Sequence, residues 1–238
     1  MKIGLIQTRG LGDILIALPI ASYFVDQGHE IYWPIDSRFI KHFEKTFPNV
    51  NFLKVNVEEI VENTLEYFYS EPHRILKEIN CDEIFNLYSY LSGQEISNTR
   101  YSESLNFDAY KYAVCGVPFD EKWKLSPVRS MERELDLFKN LGLNKNEDYI
   151  AIHEEGSNFK TDFTELVRNL DLKKVYIEPK TDCLFDWLTV IENAKMIICI
   201  DSVFSNLIEQ MNLVNTKILY LRSRVNFTPV FRNKWLIK

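Results

Sequence analysis

The sequence predicts an α/β fold built from two largely parallel sheets, the second smaller than the first. Three observations lead there. Short apolar runs alternate with helix-period segments along most of the 238 residues, the pattern of strands joined by helical crossovers. Each half begins on a buried strand that runs into a polar, glycine-bearing turn, first at Thr8–Asp13 and again at Glu154–Asn158. Between the halves, Leu143-Asn144-Lys145-Asn146-Glu147-Asp148 is short, polar and charged. It sets the expected domain division at 1–143 and 144–238.

Composition narrows the classes. Apolar residues make up 46% and charged residues 26%, the balance of a globular protein with a substantial core. The net charge is −6, so strong sequence-independent nucleic-acid binding is not expected and no nucleic-acid partner is predicted, because phosphate neutralisation needs a positive surface. No apolar run reaches the ~20 residues of a membrane helix. The N-terminal MKIGLIQTRGLGD lacks a small-residue cleavage site, and no signal peptide is expected. Cys81, Cys115, Cys183 and Cys199 are scattered without a C-x-x-C pair. That argues against a disulfide framework and a zinc ribbon, and for a reducing cytoplasm. His29, His42, His73 and His153 are isolated, so no metal site is expected.

In the first half, KIGLIQ (Lys2–Gln7) is a buried strand, and Leu11, Ile14, Leu15, Leu18, Ser22 and Val25 form a helix face ending near Gly28, with Pro19 inside it. His29–Trp33 is a second strand. Asp36 is expected to cap a helix to Phe47, and Val50–Val55 is a third strand. Glu58–Ile79 reads as helix in two pieces and Cys81–Leu87 as a fourth strand. Residues 88–107 are the longest polar stretch, the kind of loop that carries function. Phe107–Cys115 and Met131–Leu141 return to helix. The second half reads as strands at Tyr149–His153, Lys174–Glu178, Met196–Ile200 and Thr216–Leu221, the last of the chain. Helices are expected at Thr161–Leu170, Thr181–Asn193 and Ser202–Met211. Each half is thus Rossmann-like. Two such sheets facing across a cleft would bind a ligand at the carboxyl ends of their strands.

Three turns could carry chemistry. In Arg9-Gly10-Leu11-Gly12-Asp13, the glycines allow a tight turn and close approach, and the helix start favours an anion. Asp13 reads first as a first-turn carboxylate favoured by the helix dipole, with a catalytic role as the alternative. The third glycine of a dinucleotide fingerprint is missing, although Asp36 could serve as its ribose acid. After the Tyr149–His153 strand, Gly156 and Ser157 can offer amides to a diphosphate and Lys160 a cation. A plain polar turn is the alternative, and His153 reads as a strand-end histidine. In the third, Asp201 can cap a helix while Ser202, Ser205 and Asn206 reach phosphate or sugar hydroxyls. Glu178 ends a strand where it could accept ribose hydroxyls or be a surface charge. The tail from Lys217 to Lys238 carries six basic residues interleaved with Phe227, Phe231 and Trp235. It could attract an anion or a bilayer surface, or pack its aromatics on the first domain.

In this order the pieces resemble glycosyltransferase family 9, the ADP-heptose:lipopolysaccharide heptosyltransferase-type enzymes of the GT-B fold. R-G-L-G-D-I-L-I-A-L-P-I (Arg9–Ile20) is similar to the family's first loop and helix. A-K-M-I-I-C-I-D-S-V-F-S-N-L (Ala194–Leu207) resembles its strand ending in D-T-G-x-S-H, with Val203 in place of the glycine and Asn206 in place of the histidine. The turn before Lys160 resembles the donor-phosphate turn. The resemblance implies an inverting transferase with Asp13 as general base and Lys160 on the nucleotide diphosphate. It also implies Glu178 near the donor ribose, and Asp201, Ser202 and Ser205 lining the donor pocket. A nucleotide-sugar donor and a glycan or glycolipid acceptor are the implied partners. With no D-x-D motif, metal independence and no cofactor are expected. A shortened, non-catalytic binding relative and a dinucleotide-dependent oxidoreductase are the competing readings.

Overall fold

The computed structural model describes residues 1–56, 60, 64–91, 96–157, 159–213, 215–221 and 229–238. The expected helix start at Glu58 lies outside them, as do part of the 88–107 loop, Asn158, and Arg222, Arg224 and Phe227 of the tail. The chain forms two compact units, Met1–Val128 and Arg129–Lys238.

In the first unit, β1 (Lys2–Ile6), α1 (Leu11–Asp26), β2 (Glu30–Asp36), α2 (Ile40–Phe43) and β3 (Val50–Val55) are followed by a π-helical turn at Glu66–Ser70. Then come α3 (Glu71–Glu78), β4 (Glu83–Asn86), α4 (Thr99–Ser104) and α5 (Phe107–Val114). The sheet is parallel in the order β3-β2-β1-β4. β1 is central, which is why KIGLI is apolar without alternation. α1 is buried from Ile14 to Ala21, so it is apolar on nearly every side. Pro34 sits inside β2 and has no N–H to give. The β1–β2 register ends at Gly4–Tyr32, before Pro34, and the Trp33 indole donates to Gln7 O instead, at 3.2 Å. The helix expected over Asp36–Phe47 shrinks to one turn. Asp36 ends β2, and its carboxylate binds the Arg38 backbone and guanidinium, which turns the chain before a helix can start.

The second unit contains α6 (Met131–Asn140), β5 (Tyr149–His153), α7 (Thr164–Val167), β6 (Lys173–Tyr176), α8 (Leu188–Asn193), β7 (Met196–Ile200), α9 (Val203–Gln210), β8 (Thr216–Tyr220) and β9 (Trp235–Ile237). All five strands are parallel, in the order β6-β5-β7-β8-β9. Its core is Ile150, Ile152, Phe163, Val167, Ile198 and Ile200. The sequence puts α6 with the first half, whereas the compact unit that contains it starts at Arg129. Polar side chains tie it there. Buried Glu134 accepts from Arg129 at 2.9 Å and from the Thr189 amide and hydroxyl at 3.0 and 2.7 Å, and Arg133 pairs with Asp186 at 2.7 Å.

Two further expectations change. Thr161–Leu170 is helical only over α7, because the Thr161 and Phe163 amides bond to Glu154 and hold the approach as loop. Thr216–Leu221 is not the last strand. β9 pairs with β8, and buried Glu209 on α9 anchors it by accepting from the Arg232 amide and the Trp235 indole, both at 2.8 Å.

Candidate functional site

Each sheet has one topological switch point, where the chain leaves a strand on one side and returns on the other. It lies between β1 and β4 in the first unit and between β5 and β7 in the second. Ligands of open α/β sheets bind beyond the carboxyl ends of the strands at such points. Gly10, Gly12 and Asp13 lie at the first, and Ser202, Ser205 and Asn206 at the second.

At the first, Gly10 adopts φ 85°, and a Cβ there would lie 2.4 Å from Asp13 Oδ2. Only glycine lets the chain turn this closely over the carboxylate. Gly12 and Asp13 sit in the first turn of α1, and the Ile14 amide closes on Gly10 O at 2.9 Å. Asp13 is 40% exposed. Facing it is Lys111 of α5, whose side chain is 3% exposed and whose Nζ lies 3.5 Å from Asp13 Oδ1. Nζ also donates to Gln7 Oε1 at 2.6 Å and Leu87 O at 3.1 Å. Gln7 in turn donates to Arg9 O at 2.7 Å, and the Arg9 amide donates to the buried Tyr88 hydroxyl at 2.9 Å. Burial pushes the Lys111 ammonium pKa below its usual value, and Asp13 is the first group opposing that. Tyr90, 54% exposed, stands edge-on to Tyr88 at 5.2 Å and to Phe68 at 6.0 Å. Partial desolvation and then the Asp13 charge raise its phenol above the ordinary value.

At the second, His153 ends β5 and Ser202 is the N-cap residue of α9, with His153 Nδ1 2.9 Å from Ser202 Oγ. The Ser205 hydroxyl accepts from the Ser202 amide and donates to Ser202 O, both at 2.9 Å. Asn206 Nδ2 donates to Ser202 O at 2.8 Å, and its buried Oδ1 has no hydrogen-bond partner among the described residues. Ser205 and Asn206 therefore build the turn. Asp201 is buried before the cap, its amide on Tyr220 O at 2.9 Å. It does not occupy the N-cap position expected of it, which falls to Ser202. The Gly156 amide closes on Phe159 O at 2.8 Å, while Ser157 is exposed. Lys160 bridges back to Glu155 at 2.8 Å, both side chains about two-thirds exposed (67% and 68%). That pairing raises the Lys160 pKa and lowers that of Glu155. Glu178 follows β6, is exposed and pairs loosely with Lys180 at 3.4 Å. The structure groups Ser202, Ser205 and Asn206 with His153, whereas Glu178 makes no hydrogen bond to that group.

Sequence reading passed over Gln7, Tyr88 and Lys111. One signal was available: α5 buries Asp108, Lys111 and Tyr112, so a lysine stands on its inward stripe. Asp36, the ribose acid of the oxidoreductase reading, is fully buried and already binds Arg38 and the Tyr67 hydroxyl, the latter at 2.6 Å. It is not available to a ribose. Among the described residues no group of three or more His, Cys, Asp or Glu is placed to hold a metal ion, and no helix is long and apolar enough to cross a membrane.

No protein-family model matches the sequence, and no curated protein matches it. Solved structures do. The glycosyl transferase family 9 protein of Veillonella parvula superposes with a TM-score of 0.67 at 14% identity, covering 100% of this chain and 86% of that one. E. coli ADP-heptose LPS heptosyltransferase II gives 0.59 at 13% identity, covering 100% and 90%. E. coli heptosyltransferase WaaC, solved with ADP-2-deoxy-2-fluoro heptose, gives 0.57 at 11% identity, covering 100% and 93%. The chain shares their GT-B fold, two parallel α/β units.

Proposed function

We propose that the chain is an inverting, metal-independent glycosyltransferase that moves a sugar from a nucleotide-diphosphate donor to a glycan acceptor. The observation that carries this reading is Asp13: a partly exposed carboxylate in the first turn of α1, at a switch point, beside a buried cation. In the reaction Asp13 takes the acceptor hydroxyl proton as that oxygen bonds to the anomeric carbon. The bond from that carbon to the diphosphate oxygen breaks, and its electron pair leaves with the diphosphate. Lys160 and the N–H groups at the start of α9 would stabilise the departing charge. Asp201 and Ser202 would line the donor pocket, with Ser205 and Asn206 shaping its turn and Glu178 reaching the ribose. The exposed Tyr90 ring suits the apolar face of an acceptor sugar.

The structural neighbours solved with ADP or an ADP-heptose analogue make an ADP-linked heptose the first donor to test, and the neighbour named an LPS heptosyltransferase makes a bacterial surface glycan such as lipopolysaccharide the first acceptor class. The enzyme would then work on the cytoplasmic side, in peripheral contact with the inner membrane. Calorimetry with ADP, UDP and their sugar conjugates should show binding, weakened about tenfold by Lys160→Ala, the loss of one charge-assisted contact. Asp13→Asn should abolish transfer and spare donor binding, and EDTA should change neither. Absence of nucleotide binding at millimolar concentration rejects the proposal. The second reading, a non-catalytic relative, draws on Glu155, which already occupies Lys160. Release of nucleotide with glycoside product rejects that one.

A further inference from the structure

We propose that Lys111 is a positioning residue for this reaction, a cation anchored from beneath the site that holds the Asp13 carboxylate in its working orientation. The role rests on Asp13 being the base.

An ammonium has three N–H donors; Lys111 uses two of them in hydrogen bonds and has an ion-pair partner in Asp13. Gln7 Oε1 at 2.6 Å follows β1, and Leu87 O at 3.1 Å follows β4. These two fix Nζ at the switch point whatever Asp13 does. The third direction is toward Asp13 Oδ1 at 3.5 Å. Because Gln7 also bonds to Arg9 O, the same cation braces the turn that delivers Asp13. The geometry is asymmetric: the lysine is buried and held by two hydrogen bonds, and the carboxylate is partly exposed. A long buried side chain held by two hydrogen bonds is a fixed point, and an aspartate paired with it loses rotamer freedom.

The groups facing Lys111 are Asp13 from α1, Gln7, the Leu87 carbonyl, and on its own helix Asp108, Cys115 and the Phe107 ring at 5.6 Å. Asp108 is occupied by Lys122 at 2.7 Å, which leaves Asp13 as the exposed counter-charge. Burial lowers the pKa of Lys111, so the ammonium gives up its proton at a lower alkaline pH than an ordinary lysine. Asp13 then loses its partner, and transfer should fall along that limb.

Two measurements on the full chain test this. The first needs no substrate. In lysine 13Cε NMR titrations, Asp13→Asn should lower the Lys111 midpoint by about one pH unit, the effect of removing an opposite charge at this range. The second is the pH profile of ADP release from an ADP-linked sugar in the presence of acceptor glycan. Lys111→Met should lower kcat about 100-fold and leave donor KM within about twofold. Lys111→Arg, which stays charged, should keep activity at alkaline pH where the wild type loses it. If Lys111→Met does not fold, the Arg variant and the Asp13→Asn titration still decide. An unchanged Lys111 midpoint in Asp13→Asn overturns the pairing. A shifted midpoint, with turnover by Lys111→Met equal to wild type, overturns the positioning role. A shifted midpoint in a protein that neither binds nor turns over any nucleotide sugar rejects the glycosyltransferase reading and with it the role, leaving an ion pair of structural use only.

Discussion

His153 Nδ1 and Ser202 Oγ lie 2.9 Å apart, joining the end of β5 to the start of α9 across the switch point of the second sheet. The imidazole is buried and its ring centroid lies 4.8 Å from that of Phe204. Burial lowers its pKa to about 4, with the Glu155 charge only partly opposing. The histidine is therefore neutral at pH 7.

A pH dependence follows from the sign of that shift. Below pH 6.5 the unfolded histidine binds a proton, and the folded one does not until about pH 4. Folding stability should therefore fall as pH drops through this window, by up to roughly 3 kcal/mol. Urea unfolding at pH 7 and pH 4.5 measures it. His153→Gln should be flatter over the same interval, and an identical slope in the variant would remove His153 as the source.

Gly10 should not tolerate a side chain. Its φ is 85°, and a methyl group added there would lie 2.4 Å from Asp13 Oδ2, so Gly10→Ala must strain the turn or displace the carboxylate. A loss of about 1–3 kcal/mol is expected from the backbone term alone. Transfer should collapse while nucleotide affinity stays, since Gly10 belongs to the first unit. A variant with normal kcat would contradict the close approach.

Glu134 ties α6 into the second unit. Removing this buried acceptor leaves the Thr189 amide and hydroxyl without it, while Arg129 keeps Glu192 at 2.6 Å. Glu134→Ala should therefore cost about 1–3 kcal/mol, the penalty of under-bonded buried polar groups. Expressed as fragments, 129–238 should give a cooperative unfolding transition, whereas 144–238, cut at the boundary expected from the sequence, should not. Equal cooperativity in the two would show that α6 is dispensable.

Trp235 pins the tail. Its indole donates to buried Glu209 at 2.8 Å, and its ring lies 5.7 Å from Lys217 Nζ. Trp235→Ala should destabilise by about 2–4 kcal/mol, combining lost packing with an under-bonded carboxylate. Hydrogen exchange along β8, which pairs with β9, should accelerate. Unchanged exchange there would mean that the tail is not part of the sheet.

Local pattern alone established the alternation of strands and helices and the positions of the polar turns that follow the strands. Those depend on periodicity and on glycine, and KIGLI, YIAIH and MIICI show them without reference to any neighbour. The place of Asp13 in the first turn of α1 was legible because a carboxylate after a glycine turn is such a pattern, while its expected role as base came only from the family resemblance. Tertiary structure decided everything that depends on a partner far along the chain. Lys111 meets Gln7, 104 residues away, and Glu209 meets Trp235, 26 away, and neither pairing leaves a local signature. The strand at Trp235–Ile237 exists because β8 offers it an edge, and α6 falls in the second unit because Glu134 finds Thr189 there. The physical reason is common to all of these. A buried charge is stable only where the fold brings its counter-group, so its role is set by the assembled neighbourhood rather than by the residues beside it.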